Sequence, residues 1–401
     1  MKFGSKAYAA TAQMLPELVT GRMGNIIKPR ALKSKEMQKE RTKSKAEVFT
    51  PTWIVKKQND EIEKDYINRH LTIINNLFCI ILNKIKFDRS RKMEHTTIYT
   101  SSHDGQKIFL RIWDQVEKPK GIVQIIHGMA EHSARYETFA CFLNKKGYIV
   151  YADDHRGHGH SLTEEEVFGY IGENGFQKIV KDEQLISELI KKKYPQLPLF
   201  IFAHSFGSFI GQEYIIQNSE KIDGIILSGS AKQNGLDVKM GRILATFQNT
   251  VFDDKKEARL IDQLSFGSFN KKFKDQKPTS SWLTRDAKIV DQYKKDELSG
   301  FVSPINFYYE LFHAFKLLYQ TKRLEKIEKD LPLLIISGDM DPVGKYGEAV
   351  QALYEQYVQL DLENVKIKLF KDARHELVNE LNNQEVFSYI DDWLQQQIES
   401  N

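Results

Sequence analysis

Five short apolar runs constrain this chain of 401 residues more than any other feature: "GIVQIIHG" from Gly121, "YIVYADD" from Tyr148, "LPLFIFA" from Leu197, "DGIILSG" from Asp223 and "LPLLIISG" from Leu331. Each is too short for a helix with an apolar stripe and reads as a strand buried on both faces. Between them lie "RYETFACFLNKKG", stopped by Gly147, then "FQKIVKDEQLISELIKKKY", then a helical stretch from Ser205 to about Asn218. Strands alternating with helices predict an α/β fold, a mostly parallel central sheet with helices on both faces. Ahead of them, "TTIYTSS" and "KIFLRIWD" alternate around His103-Asp104-Gly105, the pattern of an antiparallel hairpin. After Ser230 the alternation lapses for about a hundred residues, then returns at Leu331 with a helix near "GEAVQALYEQYV", a strand "VKIKLFK" and a last helix "NQEVFSYIDDWLQQQI". The expected domain is 93–401, with a core of 93–231 and 330–401 and an insertion of 232–329 above one edge of the sheet.

The first 92 residues are different. They hold 20 Lys/Arg against 9 Asp/Glu, a charge of +11, which leaves −7 for the rest of a chain whose total is +4. The expected organisation is a basic, poorly structured extension over 1–70 and a linker over 71–92. From Lys28 to Lys57 large apolar residues are scarce until Val48, so this stretch reads as a solvated basic segment without its own core. "RTKSKAEVFTPTWIVKKQND" resembles the opening of DNA adenine methylase subunits of restriction systems, over roughly the first 66 residues. No Asn-Pro-Pro-Tyr type motif or cofactor glycine loop follows, so no methyl transfer is implied. The linker "NRHLTIINNLFCIILNKIKFDRSRKMEH" has the composition of translated AT-rich intergenic DNA. On the hypothesis that Arg89-Ser90 is encoded as AGG-AGU, a ribosome-binding sequence, Met93 is an ancestral start; codons without that purine run would sink the idea. Two cysteines, Cys79 and Cys141, without metal-ligand spacing fit a reducing compartment. With no apolar run of signal or bilayer length, the expected location is cytoplasmic, with peripheral lipid contact allowed.

In "IFAHSFGSF", Ser205 stands between a strand and a helix, where a strained turn lifts a serine oxygen above the sheet provided the residues two before and two after are small. Ala203 and Gly207 satisfy that. A nucleophilic serine needs an imidazole base and the base an orienting carboxylate, in the chain order Ser, acid, His on this architecture. "DMDPVG" offers Asp339 and Asp341 after one strand, and "DARHELVNE" offers His375 after the next. Both fall at strand C-termini, where open α/β sheets place ligands. The oxyanion needs backbone N–H donors: Phe206 at the helix start, and Met129 in the turn that Gly128 permits.

"IIHGMAEHSARYE", "YADDHRGHGHS", "FAHSFGSF", "ISGDMDPVG" and "ARHELVNE" resemble the monoglyceride lipase and lysophospholipase group of α/β-hydrolases, which is serine aminopeptidase S33-like, from about Met93 to the C-terminus. The resemblance implies that 232–329, with "SWLTRD", is a helical lid. It implies Ser205 as nucleophile, Asp341 rather than Asp339 as acid, His375 as base, and Met129 and Phe206 as oxyanion donors. It further implies a serine hydrolase of carboxylic esters of monoacyl lipids or other small esters, needing no cofactor or metal, with peripheral membrane contact through the lid. Peptidase or acyltransferase chemistry on the same triad is the alternative. A nucleic-acid-binding remnant, supported by the +11 segment alone, is the alternative of another class; nucleic acid is otherwise not an expected partner.

Several residues have plainer readings. His155, His158 and His160 in "DDHRGHGH", with two glycines between them and no independent carboxylate cluster, read as a hydrogen-bonded loop rather than a metal site. His127, His132 and His204 read as packed or hydrogen-bonded flanking groups, and Glu131 with Arg135 as a brace for the oxyanion turn. In the insertion, Met240, Ile243, Leu244 and Phe247 share a helical face, and "FVSPINFYYELFHAFKLLY" is apolar on more than one face. Most of these side chains are expected to pack inward, with some roofing an acyl cleft over Ser205.

Overall fold

The computed structural model describes residues 95–162, 167–273 and 280–400. The basic extension, the methylase-like stretch and the linker lie outside them. Eight strands form one sheet: β1 (Thr96–Ser101), β2 (Lys107–Trp113), β3 (Gly121–Ile126), β4 (Tyr148–Asp154), β5 (Leu199–His204), β6 (Gly224–Ser228), β7 (Leu333–Gly338) and β8 (Val365–Phe370). Their order is β1-β2-β4-β3-β5-β6-β7-β8. The first two make the hairpin expected around His103-Asp104-Gly105, with Gly105 at φ +86 closing the turn. β2 pairs antiparallel with β4, and every later pairing is parallel.

Period-two alternation with both faces covered explains why the central strands are largely apolar, β5 above all. Phe200 and Phe202 of β5 point to the layer that holds α1 (Glu137–Lys145) and α9 (Asn383–Ser400), through Phe139, Phe387 and Trp393. Leu199, Ile201 and Ala203 point the other way, to α2 (Gly175–Lys193), α3 (Phe206–Asn218) and α8 (Glu348–Val358), through Ile179, Ile210 and Leu353. With no solvated face, a polar side chain in the middle of β5 would be buried and would need a partner from the covering helices, as Gln124 of β3 has in Glu183. Among the described residues no helix is long and apolar enough to cross a membrane.

Between β6 and β7 the chain leaves the sheet to form α4 (Leu236–Val251), α5 (Arg259–Phe266), α6 (Ala287–Lys295) and α7 (Ile305–Leu318). Helix α7 is buried on more than one side, as its composition suggests. Helix α4 departs from expectation in one respect: its apolar face lines the cavity over Ser205 as expected, but most of that face does not pack inward. Its inward contact is through Ala245, which is buried, and Gly241, where a Cβ would lie 2.5 Å from the Phe312 ring of α7. Small residues let the two helices approach closely, which leaves Met240, Ile243 and Phe247 at the cavity mouth, lining it and yet 64%, 60% and 58% exposed.

Candidate active site

The parallel strands bring the loops after β3, β5, β7 and β8 to one edge of the sheet. Ser205 occupies the turn from β5 to α3 with φ +52 and ψ −118, a conformation that costs a non-glycine residue roughly 1–3 kcal/mol and is held by its surroundings. Its N–H donates to Ser228 O of β6 at 2.9 Å, and its carbonyl accepts from Ser208 N–H at 2.8 Å. A Cβ on Gly207 would come within 2.3 Å of Ile126 O and 2.4 Å of His127 O. Ala203 is tolerated because it faces Gly211, where a Cβ would stand 2.9 Å from that of Ala203. Gly211, two residues beyond the quoted motif, carries no local sign of this role.

Ser205 Oγ lies 2.8 Å from His375 Nε2, and His375 Nδ1 lies 2.9 Å from Asp341 Oδ2. Asp341 is fully buried; it also accepts from Ser337 O–H at 3.1 Å and Val343 N–H at 2.9 Å. Burial alone would raise its pKa, but the His375 charge and these hydrogen bonds outweigh it and hold the carboxyl below its ordinary value. His375 is buried as well, which disfavours its charged form, yet Asp341 reverses the balance and raises its pKa above 6.5. Of the two aspartates offered by "DMDPVG", only Asp341 reaches the imidazole; Asp339 Oδ1 has no partner among the described residues.

Phe206 begins α3, so its N–H belongs to the first helical turn and has no carbonyl within the helix to bond. Met129 lies in the turn after β3, and both line the same cavity as Ser205 and His375. That turn is close-packed: a Cβ on Gly128 would sit 2.7 Å from Glu131 Oε1 and 3.2 Å from Ser205 Cβ. Glu131 Oε1 accepts from Gly128 N–H at 2.6 Å and from Tyr136 O–H at 2.7 Å, while its Oε2 accepts from Arg135 at 2.5 Å. The expected Glu131–Arg135 pair is present, and Arg135 also holds Glu376 through both nitrogens, at 2.8 and 2.7 Å. Burial would raise Glu376, but the guanidinium brings its pKa down to about 2.

Other contacts have no signal at local spacing. Trp282 of "SWLTRD" lies with its ring 5.1 Å from that of His375, and its carbonyl accepts from His375 N–H. The His204 ring lies 4.8 Å from that of His375, tilted by 47°; burial, then the nearby His375 charge, lower its pKa to about 4, so it is neutral. The loop "DDHRGHGH" is held by hydrogen bonds: His158 Nδ1–H to Arg156 O, and His160 N–H to Asp154. A carboxylate cluster does exist there, since Glu183 of α2 joins Asp153 and His155. A proton rather than a metal explains the geometry. His155 faces Asp153 Oδ2 at 2.8 Å through Nδ1 and His127 O at 3.0 Å through Nε2, so both nitrogens donate and the ring is an imidazolium.

The cavity above Ser205 has a volume of about 1180 Å³, with a floor from the sheet loops and walls from the insertion, among them Leu244, Phe247, Leu264, Phe312 and Phe315. A strained serine over a parallel sheet, hydrogen-bonded through histidine to a buried aspartate, defines the α/β-hydrolase class. Residues 117–382 match the family described as "Serine aminopeptidase, S33", and the chain belongs to that family. It is 28% identical to human monoglyceride lipase over 304 residues, 73% of this chain and 88% of that protein. Its structure is similar to that of a thermostable carboxyl esterase from Bacillus coagulans, at 29% identity and a TM-score of 0.70, covering 76% of this chain and 99% of that one. The fold is shared with a soluble variant of monoglyceride lipase from Saccharomyces cerevisiae, at 20% identity and a TM-score of 0.59, over 78% and 99% of the two chains. The protein is accordingly a carboxylic ester hydrolase of the monoglyceride-lipase-like group.

Proposed function

We propose that the protein hydrolyses carboxylic esters of monoacyl lipids, monoacylglycerols or lysophospholipids, through an acyl-enzyme on Ser205. Ser205 Oγ attacks the ester carbonyl while His375 Nε2 takes its proton, and Asp341 holds the imidazole in the tautomer that presents Nε2. The N–H groups of Met129 and Phe206 stabilise the oxyanion, a contribution of roughly 10²–10³ in rate for one donor. His375 returns the proton to the leaving alcohol, and water repeats the cycle on the acyl group. The observation that carries this reading is the unbroken chain Ser205–His375–Asp341, at 2.8 and 2.9 Å, on the floor of a cavity with apolar walls. In this reading 93–231 and 330–401 form the catalytic core and 232–329 a lid.

The peptidase alternative on the same triad has one observation against it. An aminopeptidase must bind a free ammonium, and two of the five carboxylates that line the cavity, Glu131 and Glu376 beside the triad, are already paired with Arg135. The test is a panel of monoacylglycerols, lysophospholipids, nitrophenyl esters of graded chain length and aminoacyl nitroanilides, run on wild type and Ser205→Ala. Long-chain monoacyl esters should be hydrolysed by wild type alone. Full activity in the alanine variant overturns the nucleophile, and preferential cleavage of the anilides overturns the substrate class.

A further inference from the structure

The turn that carries Met129 is gripped from two sides, and one of them is the insertion. From the sheet side, Glu131 accepts the Gly128 N–H. From above, the end of α6 and the turn after it make three contacts with the same loop. Gly300 N–H donates to Ala130 O at 2.9 Å, Asp296 Oδ2 accepts from His132 Nε2–H at 2.7 Å, and the Arg135 guanidinium lies 4.7 Å from the Tyr293 ring centre. Ala130 needs such a grip. Its φ is +52, a left-handed conformation that disfavours a residue with a Cβ by roughly 1–2 kcal/mol.

Asp296 organises the upper jaw. Its carboxylate accepts from Leu298 N–H at 3.1 Å and from Ser299 O–H at 2.8 Å, folding the turn that ends at Gly300. Gly300 is itself left-handed at φ +71, which aims its N–H at Ala130. Gly128 N–H and Ala130 C=O belong to the peptide groups on either side of the Gly128–Met129 and Met129–Ala130 links. With both pinned, the two peptide groups between them, one of which carries the Met129 N–H, are restrained from either end.

We propose that Asp296 is a positioning residue for ester hydrolysis, acting through His132 and Gly300 to hold Ala130 left-handed and so aim the Met129 N–H at the developing oxyanion. The inference rests on Met129 being an oxyanion donor in the reaction proposed above. It makes the insertion a contributor to the rate of the chemical step as well as to substrate fit.

The test uses the full chain with nitrophenyl butyrate, an ester short enough to leave most of the acyl cavity unused. Asp296→Ala should lower kcat by about 10- to 100-fold, while KM stays within about threefold. Asp296→Asn keeps an acceptor for His132 and should recover most of the loss. Affinity for an alkylboronic acid, whose Ser205 adduct mimics the tetrahedral intermediate, should fall in parallel with kcat/KM, and affinity for the inert amide analogue of the substrate should not. If Asp296→Ala does not fold, His132→Ala breaks the same contact and carries the same expectations. A kcat within about twofold of wild type in both variants, or equal weakening of boronic acid and amide analogue, overturns the proposal. Phosphonate labelling of Ser205 in wild type separates this outcome from failure of the parent reading: without labelling, and with Ser205→Ala active, both fall together.

Discussion

His375 must be neutral to accept the Ser205 proton, and Asp341 opposes this by favouring the imidazolium. Burial pulls the pKa of His375 down, but Asp341 more than compensates and sets it above 6.5. The acid limb of kcat/KM is therefore expected above pH 6.5. Asp341→Asn should move the limb to lower pH, because the negative charge is gone, and reduce kcat by about 10³–10⁴-fold, because the amide N–H can donate to Nδ1 and so favour the tautomer that carries its proton on Nε2; a limb that stays in place contradicts the assignment. The same pair has a stability signature. With its folded pKa raised, His375 contributes fully below 6.5 and loses that contribution as pH rises through the folded value, whereas Asp341, with its pKa lowered, contributes fully above 3.8 and loses it as pH falls. Together they stabilise most between those ordinary values. His155 supplies a second residue-scale expectation. As an imidazolium between Asp153 and His127 O, its replacement in His155→Phe leaves buried carboxylate uncompensated and should cost about 3–5 kcal/mol in urea unfolding near neutral pH. A loss under about 1 kcal/mol would mean that the carboxylates simply take up protons. Ser205, Asp341 and His375 were legible because each follows a recognisable strand in the required order. Glu183 beside His155, and Trp282 beside His375, were not: each pair meets only after the sheet has assembled, and neither partner leaves a periodic trace.

At the scale of elements, apolar runs read as strands with little error because burial on both faces allows nothing else. Helix α4 shows where that reasoning stops. Its apolar face is real, but periodicity reports only that a face exists and not which way it turns. Gly241 and Ala245 decide the direction, because α4 comes close enough to α7 to touch Phe312 only through side chains of that size. Gly241→Leu should therefore lift α4 from α7 without disturbing Ser205, which belongs to the sheet. The expected result is a loss of about tenfold or more in kcat/KM for long-chain esters, with the acetate ester within about twofold of wild type. Equal losses on both substrates would show that α4 supports the reacting groups as well.

At the scale of the whole molecule, the reacting groups come from loops at the ends of β3, β5, β7 and β8, while most of the apolar wall comes from the insertion between β6 and β7. Met240, Ile243, Phe247 and Leu264 line the cavity and are also 58–67% exposed, so cavity wall and outer surface are continuous at its mouth. Leu236, at 78% exposure, and Val251, at 56%, extend the strip along α4. A monoacyl lipid entering there exchanges one apolar surrounding for another, and its chain need not cross water. An exposed apolar strip is what the peripheral lipid contact expected for the lid would require: half-burying each of two such side chains would contribute about 1 kcal/mol, or roughly 30-fold in partitioning for the pair. Met240→Glu combined with Phe247→Glu should reduce co-sedimentation with phosphatidylcholine vesicles by about that factor and slow hydrolysis of long-chain monoacyl esters presented in micelles. Hydrolysis of nitrophenyl acetate, which enters from water, should change by less than about twofold. Vesicle binding that survives both charges would place the lipid contact elsewhere, and an equal loss on the acetate ester would mean that the substitutions had deformed the cavity rather than its mouth.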